Sequence, residues 1–374
     1  MSSKTATTAE NEEGQTSAPK ILEELVRQAE LAGASDIHLQ MRGHSADVSF
    51  RLDGVVTPAK GLCAEIAERL FGRVKFLARL KTYQTSLPQD GRIPHEEIKS
   101  QNDIRVATYP TVTGEKIVLR LFNAGTAKAL GELSLPGTAH AELEKFLGQT
   151  TGLLLLTGPA GSGKTTTIYA CLRHLAELGG RHIITVEDPV EQIIPGTMQT
   201  EVNEPIGLDF AKAARHLLRQ DPQVLIIGEM RDEATAQLAV RAGLTGHLVI
   251  TTLHAGSCKG VFERLLTMCP DHSAVASAVE LVLNQRLIRK VCSACEGRGC
   301  ETCLHTGYQG RVPLVEWLRV TETRREQIRR RELSELVSTQ TLEAFARGLV
   351  NQGVTNDAEF KRIFGEGVHA MNSL

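Results

Sequence analysis

The sequence predicts an α/β protein in which a helix-covered parallel sheet follows a small α+β domain and precedes a cysteine-rich segment and a helical C-terminal region. Three observations predict it. In the middle of the chain, near-continuous apolar runs (GLLLLTG, HIITVED, QVLIIGE, HLVITTLH) alternate with helical stretches, the pattern of strands buried on both faces. Ahead of them, residues 36–57 carry short alternating runs with an Asp-Gly pair, the pattern of half-buried antiparallel strands. Behind them, VCSACEGRGCETC places Cys292, Cys295, Cys300 and Cys303 close together.

In chain order, residues 1–18 are polar and predict a disordered tail. ILEELVRQAELAGAS has apolar residues at helical spacing and a Gly near its end, so it predicts a helix. DIHLQMR and ADVSFRLDGVVT read as strands, AEIAERLFGRVKFLARL as a helix and PQDGRIP as a second hairpin turn. NDIRVATYP and EKIVLRLF read as two further strands, completing a domain over 19–124. A linker is expected at 125–137, the sheet domain at 138–290, the cysteine segment at 291–311 and a basic helical region at 312–374. No internal repeat is visible.

With 374 residues the chain is long enough for two or three domains. It is 41% hydrophobic and 23% charged with a net charge of -2, which argues against a protein that coats nucleic acid through basic surface. The N-terminus has no apolar core of a secretory signal, and no apolar run approaches the ~20 residues that span a bilayer. A cytoplasmic location is expected, where structural disulfides are rare. Cys63, Cys171, Cys258 and Cys269 are scattered and read as buried free thiols.

GPAGSGKT at 158–165 fits G-x-x-x-x-G-K-[ST] between an apolar strand and a helix, the context that the motif requires. Gly158, Pro159, Ala160, Gly161, Ser162 and Gly163 would wrap the phosphates, all but Pro159 offering a backbone N–H group, and Thr166 at the helix start is a further nucleotide-binding candidate. Lys164 would reach the β- and γ-phosphates and the Thr165 hydroxyl would hold Mg²⁺, so ATP is the expected ligand. Hydrolysis needs a group to orient or deprotonate water. Glu229 and Glu187 stand at strand C-terminal ends, where parallel sheets present ligands. Gly228 occupies the place where the second motif of such proteins usually ends its strand in Asp. Glu229 is therefore the candidate base, with Glu187 and Asp188 placing Mg²⁺ or water; the plainer reading of each is an exposed strand-end carboxylate. His254 ends its strand on the same edge and is a candidate γ-phosphate sensor. His247, ~23 Å back along an extended strand, reads as a structural hydrogen-bonding residue.

Taken together, TGPAGSGKTTTIYA, ITVEDPVE, LLRQDPQVLIIGEMRD and GLTGHLVITTLHA resemble, in order, the motifs of the type II secretion and type IV pilus assembly ATPases. ASDIHLQ, RLDGVV, QDGRI and GEKIVLRLF are similar to the family's smaller N-terminal domain. The resemblance runs from about 34 to 311. It implies a RecA-like P-loop core behind a PAS-like domain, and a homohexameric ring with nucleotide sandwiched between the two domains. Arg92 and Arg105 would reach the γ-phosphate there, an arrangement that neutralises developing charge. As residues alone, both read as strand arginines in surface salt bridges. The implied work is done on an inner-membrane platform protein, from the cytoplasmic face.

Family members that power secretion or extension carry two CxxC pairs that bind zinc. By resemblance, Cys292, Cys295, Cys300 and Cys303 form such a structural Zn²⁺ clip, in place of a core too small to fold alone. Disulfide and redox readings fit a cytosolic paired CxxC less well. Only EGRG separates the pairs, far fewer residues than in the family; Gly297 and Gly299 would make the reversal, and His305 is an alternative ligand. The chain also begins too late for the family's further N-terminal domain, as retraction ATPases do, although those lack the tetracysteine. Secretion or extension is the expected output and retraction the alternative. A RecA-like nucleic-acid ring and a non-hydrolysing scaffold are the competing classes. The arginines of RVTETRREQIRRREL (Arg319, Arg324, Arg325, Arg329, Arg330, Arg331) read as a solvated helix face or as a contact for anionic lipid or an acidic partner. Trp317 reads as packing.

Overall fold

The computed structural model describes residues 17–121 and 128–365, so the expected tail up to residue 16 and the linker's first residues, 125–127, lie outside the described residues. The chain forms two compact units, one of residues up to 121 together with 292–310, the other of 128–291 with 311–365.

In the first unit, α1 (Ala18–Leu31) buries Leu22, Leu25, Val26 and Ala29, one helical stripe. It is followed by β1 (Asp36–Arg42), β2 (Ser45–Leu52), β3 (Val55–Leu62), α2 (Ala64–Leu77), β4 (Gln89–Ile93), β5 (Ile104–Thr111) and β6 (Gly114–Leu121). The six strands make an antiparallel sheet in the order β3-β2-β1-β6-β5-β4. Along β2, Ala46, Val48, Phe50 and Leu52 are buried and alternate with exposed or half-buried neighbours, and both helices cover that face. Buried Lys75 donates to both Glu115 carboxylate oxygens at 3.0 and 3.1 Å and to the Gln84 carbonyl, so its charge is paired inside the core.

QDGRI is not a hairpin turn but strand β4 itself. Its glycine answers to crowding: a Cβ at Gly91 would stand 2.5 Å from the Ala78 carbonyl and 2.7 Å from Leu80. Cys63 precedes α2 and is exposed, contrary to expectation, whereas Cys171, Cys258 and Cys269 are buried.

The second unit holds α3 (Gly137–Leu147), β7 (Gly152–Thr157), α4 (Lys164–Leu178), β8 (Ile183–Glu187), β9 (Met198–Glu201), α5 (Phe210–Leu217), β10 (Val224–Ile227), α6 (Glu233–Leu244), β11 (Leu248–Thr252), α7 (Cys258–Met268) and α8 (His272–Ala278). Two long strands follow, β12 (Val279–Val291) and β13 (Tyr308–Arg319), then α9 (Glu322–Arg329), α10 (Leu342–Asn351) and α11 (Asp357–Phe364). The sheet order is β13-β12-β7-β11-β10-β8-β9, with parallel pairing from β12 through β9. Every residue of β7, β8, β10 and β11 is buried, as apolar runs between two helix layers require.

Three expectations need correction. Residues 312–319, expected as helix, are the greater part of strand β13; Leu314, Val315 and Leu318 are buried, and Pro313 is tolerated because β13 is the sheet's edge. Within the expected linker, Leu130–Leu133 forms a turn of 3₁₀ helix whose two leucines enter the second unit's core. The arginine stretch is not a uniformly solvated helix face. Arg319 lies in β13 and reaches Glu280 at 3.2 Å, and Arg325 reaches the same carboxylate while donating to the Ser277 carbonyl at the end of α8. Arg324 donates to the carbonyls of Arg319 and Val337. Arg329 and Arg330 stay at the surface, paired with Glu326, and Arg331 is exposed just beyond the helix. Trp317 packs half-buried against the core. Among the described residues no helix is long and apolar enough to cross a membrane.

Candidate nucleotide site and metal centre

Strand β7 delivers the chain at Thr157 into the glycine loop, and α4 leaves it at Lys164. The loop needs its glycines for different reasons. Gly161 and Gly163 have φ of 72° and 93°, left-handed backbone that favours glycine. Gly158 has φ 133° and a Cβ there would fall 2.1 Å from the Gln285 carbonyl. Lys164 Nζ donates to the carbonyls of Gly158 and Pro159 at 2.8 and 3.0 Å, folded back over its own loop. Burial pushes its amine down and the Glu229 charge draws it back up. Ser162 Oγ is buried without a hydrogen-bond partner. A loop with an orphaned hydroxyl and a lysine satisfied only by carbonyls fits an anionic phosphate group.

A cleft of about 290 Å³ opens beside this loop, lined among others by Ala160, Gly161, Lys164, Thr165, Tyr169, Glu187, Asp188, Glu229, Arg231 and His254. Gly158, Pro159, Ser162 and Gly163 complete the loop behind it, and Thr166 is exposed on the first turn of α4. The sheet order explains the convergence, because β8, β10 and β11 run parallel to β7 and end on one edge.

Glu229 is held from both sides. His254 Nε2 lies 2.9 Å from Oε1, and Arg231 Nε donates to Oε2 at 2.8 Å. Arg231 also reaches Asp188 at 3.2 Å and stands over the Phe210 ring. Its bond to Glu229 raises the guanidinium above its ordinary value. Gly228 is where the missing Asp would be, and a Cβ there would stand 3.2 Å from the Val186 carbonyl and 3.4 Å from Phe210. Glu187, nearly buried, accepts from Tyr169, Thr185 and Gln199. His247 lies away from these groups, with Nδ1 3.2 Å from the Ala242 carbonyl at the end of α6.

In the first unit, Arg92 and Arg105 are register partners on β4 and β5. Arg92 pairs with Asp103 at 2.6 Å, and the same carboxylate accepts from the His95 backbone. Arg120 on β6 continues the row beside Arg105 and pairs with Asp36. Sequence reasoning missed Arg120, Arg231 and Tyr169. Arg231 stands two residues beyond Glu229, and Tyr169 one helical turn beyond Thr165, spacings that could have flagged both.

The sulfurs of Cys292, Cys295, Cys300 and Cys303 all lie within 4.8 Å of one another, a spacing that one tetrahedral metal ion would satisfy. Backbone N–H groups point at them: Gly299 to Cys295 at 3.2 Å, and Cys300 and Gly307 to Cys303 at 3.3 Å. Burial pushes the Cys295 thiol up to about 11. For Cys303 burial pushes up, but the two N–H bonds together with bonds from the Cys300 and Cys295 thiols bring it down to about 6, which suits a thiolate ligand. Gly297 and Gly299 make the reversal with φ of 84° and 91°. His305 is not in the cluster. Gly310 N–H donates to Asp53 in the β2–β3 turn at 2.8 Å, which seats the segment in the first unit.

The family model for "Type II/IV secretion system protein" matches residues 11–362. The chain is 36% identical over 352 residues to the protein transport protein HofB homolog of Haemophilus influenzae, covering 93% of this chain and 74% of that protein. It is 34% identical over 380 residues to the type II secretion system ATPase E of Vibrio cholerae, covering 93% and 75%. With the type IV pilus assembly ATPase PilB of Thermus thermophilus it shares 37% over 344 residues, 84% of this chain and 38% of that protein. A crystal structure of the pilus retraction motor PilT with bound ADP superposes with a TM-score of 0.65 at 27% identity, covering 91% of this chain and 96% of that one.

Proposed function

This chain belongs to the Type II/IV secretion system protein family, and on that premise we propose that it is an ATP-hydrolysing motor subunit for type II protein secretion or type IV pilus assembly. The observation that carries the reading is the convergence of Lys164, Thr165, Glu187 and Glu229 on one cleft. A site kept only for binding would have no use for both carboxylates.

On binding ATP, Lys164 exchanges the Gly158 and Pro159 carbonyls for phosphate oxygens, and the loop N–H groups and Ser162 hydroxyl take the rest. Mg²⁺, held by Thr165 with Glu187 and Asp188 nearby, supplies charge neutralisation. Glu229 receives the proton of the attacking water, and His254 and Arg231 fix the carboxylate's orientation. Arg92 and Arg105 offset charge on the γ-phosphoryl group, in the same subunit or a neighbour's. The four thiolates hold a structural Zn²⁺. The working form is a homohexamer at the cytoplasmic face of the inner membrane, acting on a platform protein, with no nucleic-acid partner.

The tetracysteine cluster favours secretion or extension, and likeness to a retraction motor keeps that output as the second reading. The test is steady-state ATP hydrolysis by size-fractionated protein, wild type beside Lys164→Ala, with nucleotide binding measured in each fraction. Turnover confined to the wild-type oligomer is expected. An oligomer that binds ATP without turnover would instead mark a scaffold.

A further inference from the structure

Tyr169 lies on α4 four residues after Thr165, on the same helical face, and is nearly buried beside the cleft. Its phenol makes three hydrogen bonds to one stretch of chain. The hydroxyl donates to Glu187 Oε2, and its oxygen accepts the backbone N–H groups of Glu191 at 2.9 Å and Gln192 at 3.2 Å. A phenol oxygen has two lone pairs, and both are used by these N–H groups, so its proton has only Glu187 to go to.

The other carboxylate oxygen is held separately. Glu187 Oε1 accepts from Thr185 and from Gln199 Nε2 at 3.0 Å, and Gln199 in turn holds the Gln192 carbonyl and the Ile194 N–H. Without the phenol, Glu187 Oε2 and two N–H groups would lose their partner together.

We propose that Tyr169 is the positioning residue for the Mg²⁺ site, locking Glu187 and the turn after it to the helix that carries Thr165. This rests on the reading of Glu187 as a group that serves the metal of the bound nucleotide. A phenylalanine keeps the ring and its packing but removes the donor and both acceptors, so the carboxylate can rotate out of line.

The experiment measures ATP affinity of the full chain with Mg²⁺ and with EDTA, for wild type, Tyr169→Phe, Glu187→Gln and the double variant, each checked by thermal unfolding. Tyr169→Phe should bind metal-free ATP within twofold of wild type yet lose about fivefold or more of the tightening that Mg²⁺ provides. In the Glu187→Gln background the Tyr169→Phe change should have no further effect, because the phenol acts through the carboxylate. Wild-type Mg²⁺ dependence in Tyr169→Phe, or the same loss persisting in the double variant, would overturn the proposal. If Glu187→Gln itself keeps the wild-type dependence, the metal role of Glu187 fails and this proposal fails with it; if Glu187→Gln loses it and Tyr169→Phe does not, only Tyr169 is misassigned. Should Tyr169→Phe not fold, 4-fluorophenylalanine at 169, which fills the place of the hydroxyl but has no proton to donate, replaces it. Unchanged Mg²⁺ dependence in that variant would likewise overturn the proposal.

Discussion

Arg92 on β4 and Arg105 on β5 stand directly opposite each other in register, two cations on one face of an antiparallel pair. Opposed like charges destabilise a sheet, and Asp103 pairs with Arg92 at 2.6 Å beside them. Such a pair suits an anion. Replacing either by Ala should lower ATP turnover by about 10³-fold, the scale of an arginine at a transferring phosphoryl group, and leave chemical unfolding within about 1 kcal/mol. Steady-state kinetics beside urea melts separates the two effects. Retained turnover would return both to ordinary surface arginines.

Glu229→Gln preserves shape and one hydrogen-bond acceptor but cannot take a proton. We expect turnover to fall by about 10² to 10⁴, with ATP affinity nearly unchanged. Equal losses in binding would mean that the carboxylate serves mainly to place Lys164 and Arg231.

Zinc content provides a third check. Metal analysis of the protein purified without chelator should give about one Zn²⁺ per chain, and Cys295→Ser with Cys303→Ser should reduce it to background and lower the melting temperature. An unchanged melting temperature would reduce the cluster to a remnant.

Glu359 yields a pH prediction. It is fully buried, and while burial alone would raise its carboxyl, bonds from Arg362 and Arg289 outweigh that and hold it below the ordinary 4.5. A carboxylate whose folded value is depressed contributes stability that is complete above its unfolded value and lost as pH falls through the folded one. Glu359→Gln should therefore cost ~3 kcal/mol near pH 7, because the half-buried Arg289 loses its ion pair with this carboxylate, and the deficit should shrink below about pH 4.5. Urea midpoints at a series of pH values measure it; a deficit independent of pH would assign the loss to packing.

The phosphate loop, the strand-end carboxylates and the paired cysteines were legible because each is a local pattern of a few residues whose chemistry needs no distant partner. What lay beyond reach depended on distant chain. Asn284 and Gln285 are almost wholly buried within β12, yet in sequence they break the apolar run that would mark a strand. Gly91 looked like turn punctuation, although its reason is a carbonyl thirteen positions upstream. Arg319 and Arg325 looked like surface charge, while the carboxylate that draws them inward, Glu280, belongs to another strand. Tyr169 drew no reading from sequence, because the carboxylate that gives its hydroxyl a partner, Glu187, lies on another element.

The order of the large sheet has a consequence for biosynthesis. Strand β7, which presents the phosphate loop, pairs with β11 and β12, both of which follow it in the chain. A ribosome that has just released Thr157 must add about ninety more residues before Leu248 appears and about thirty more before Val279. At ~5–20 residues per second, the nascent loop waits several seconds or more for the neighbours that shape it. The small antiparallel sheet, in contrast, has all six of its strands by Leu121. A message truncated between codons 253 and 278 would therefore yield all six strands of the small sheet attached to a phosphate loop whose strand has one flank open.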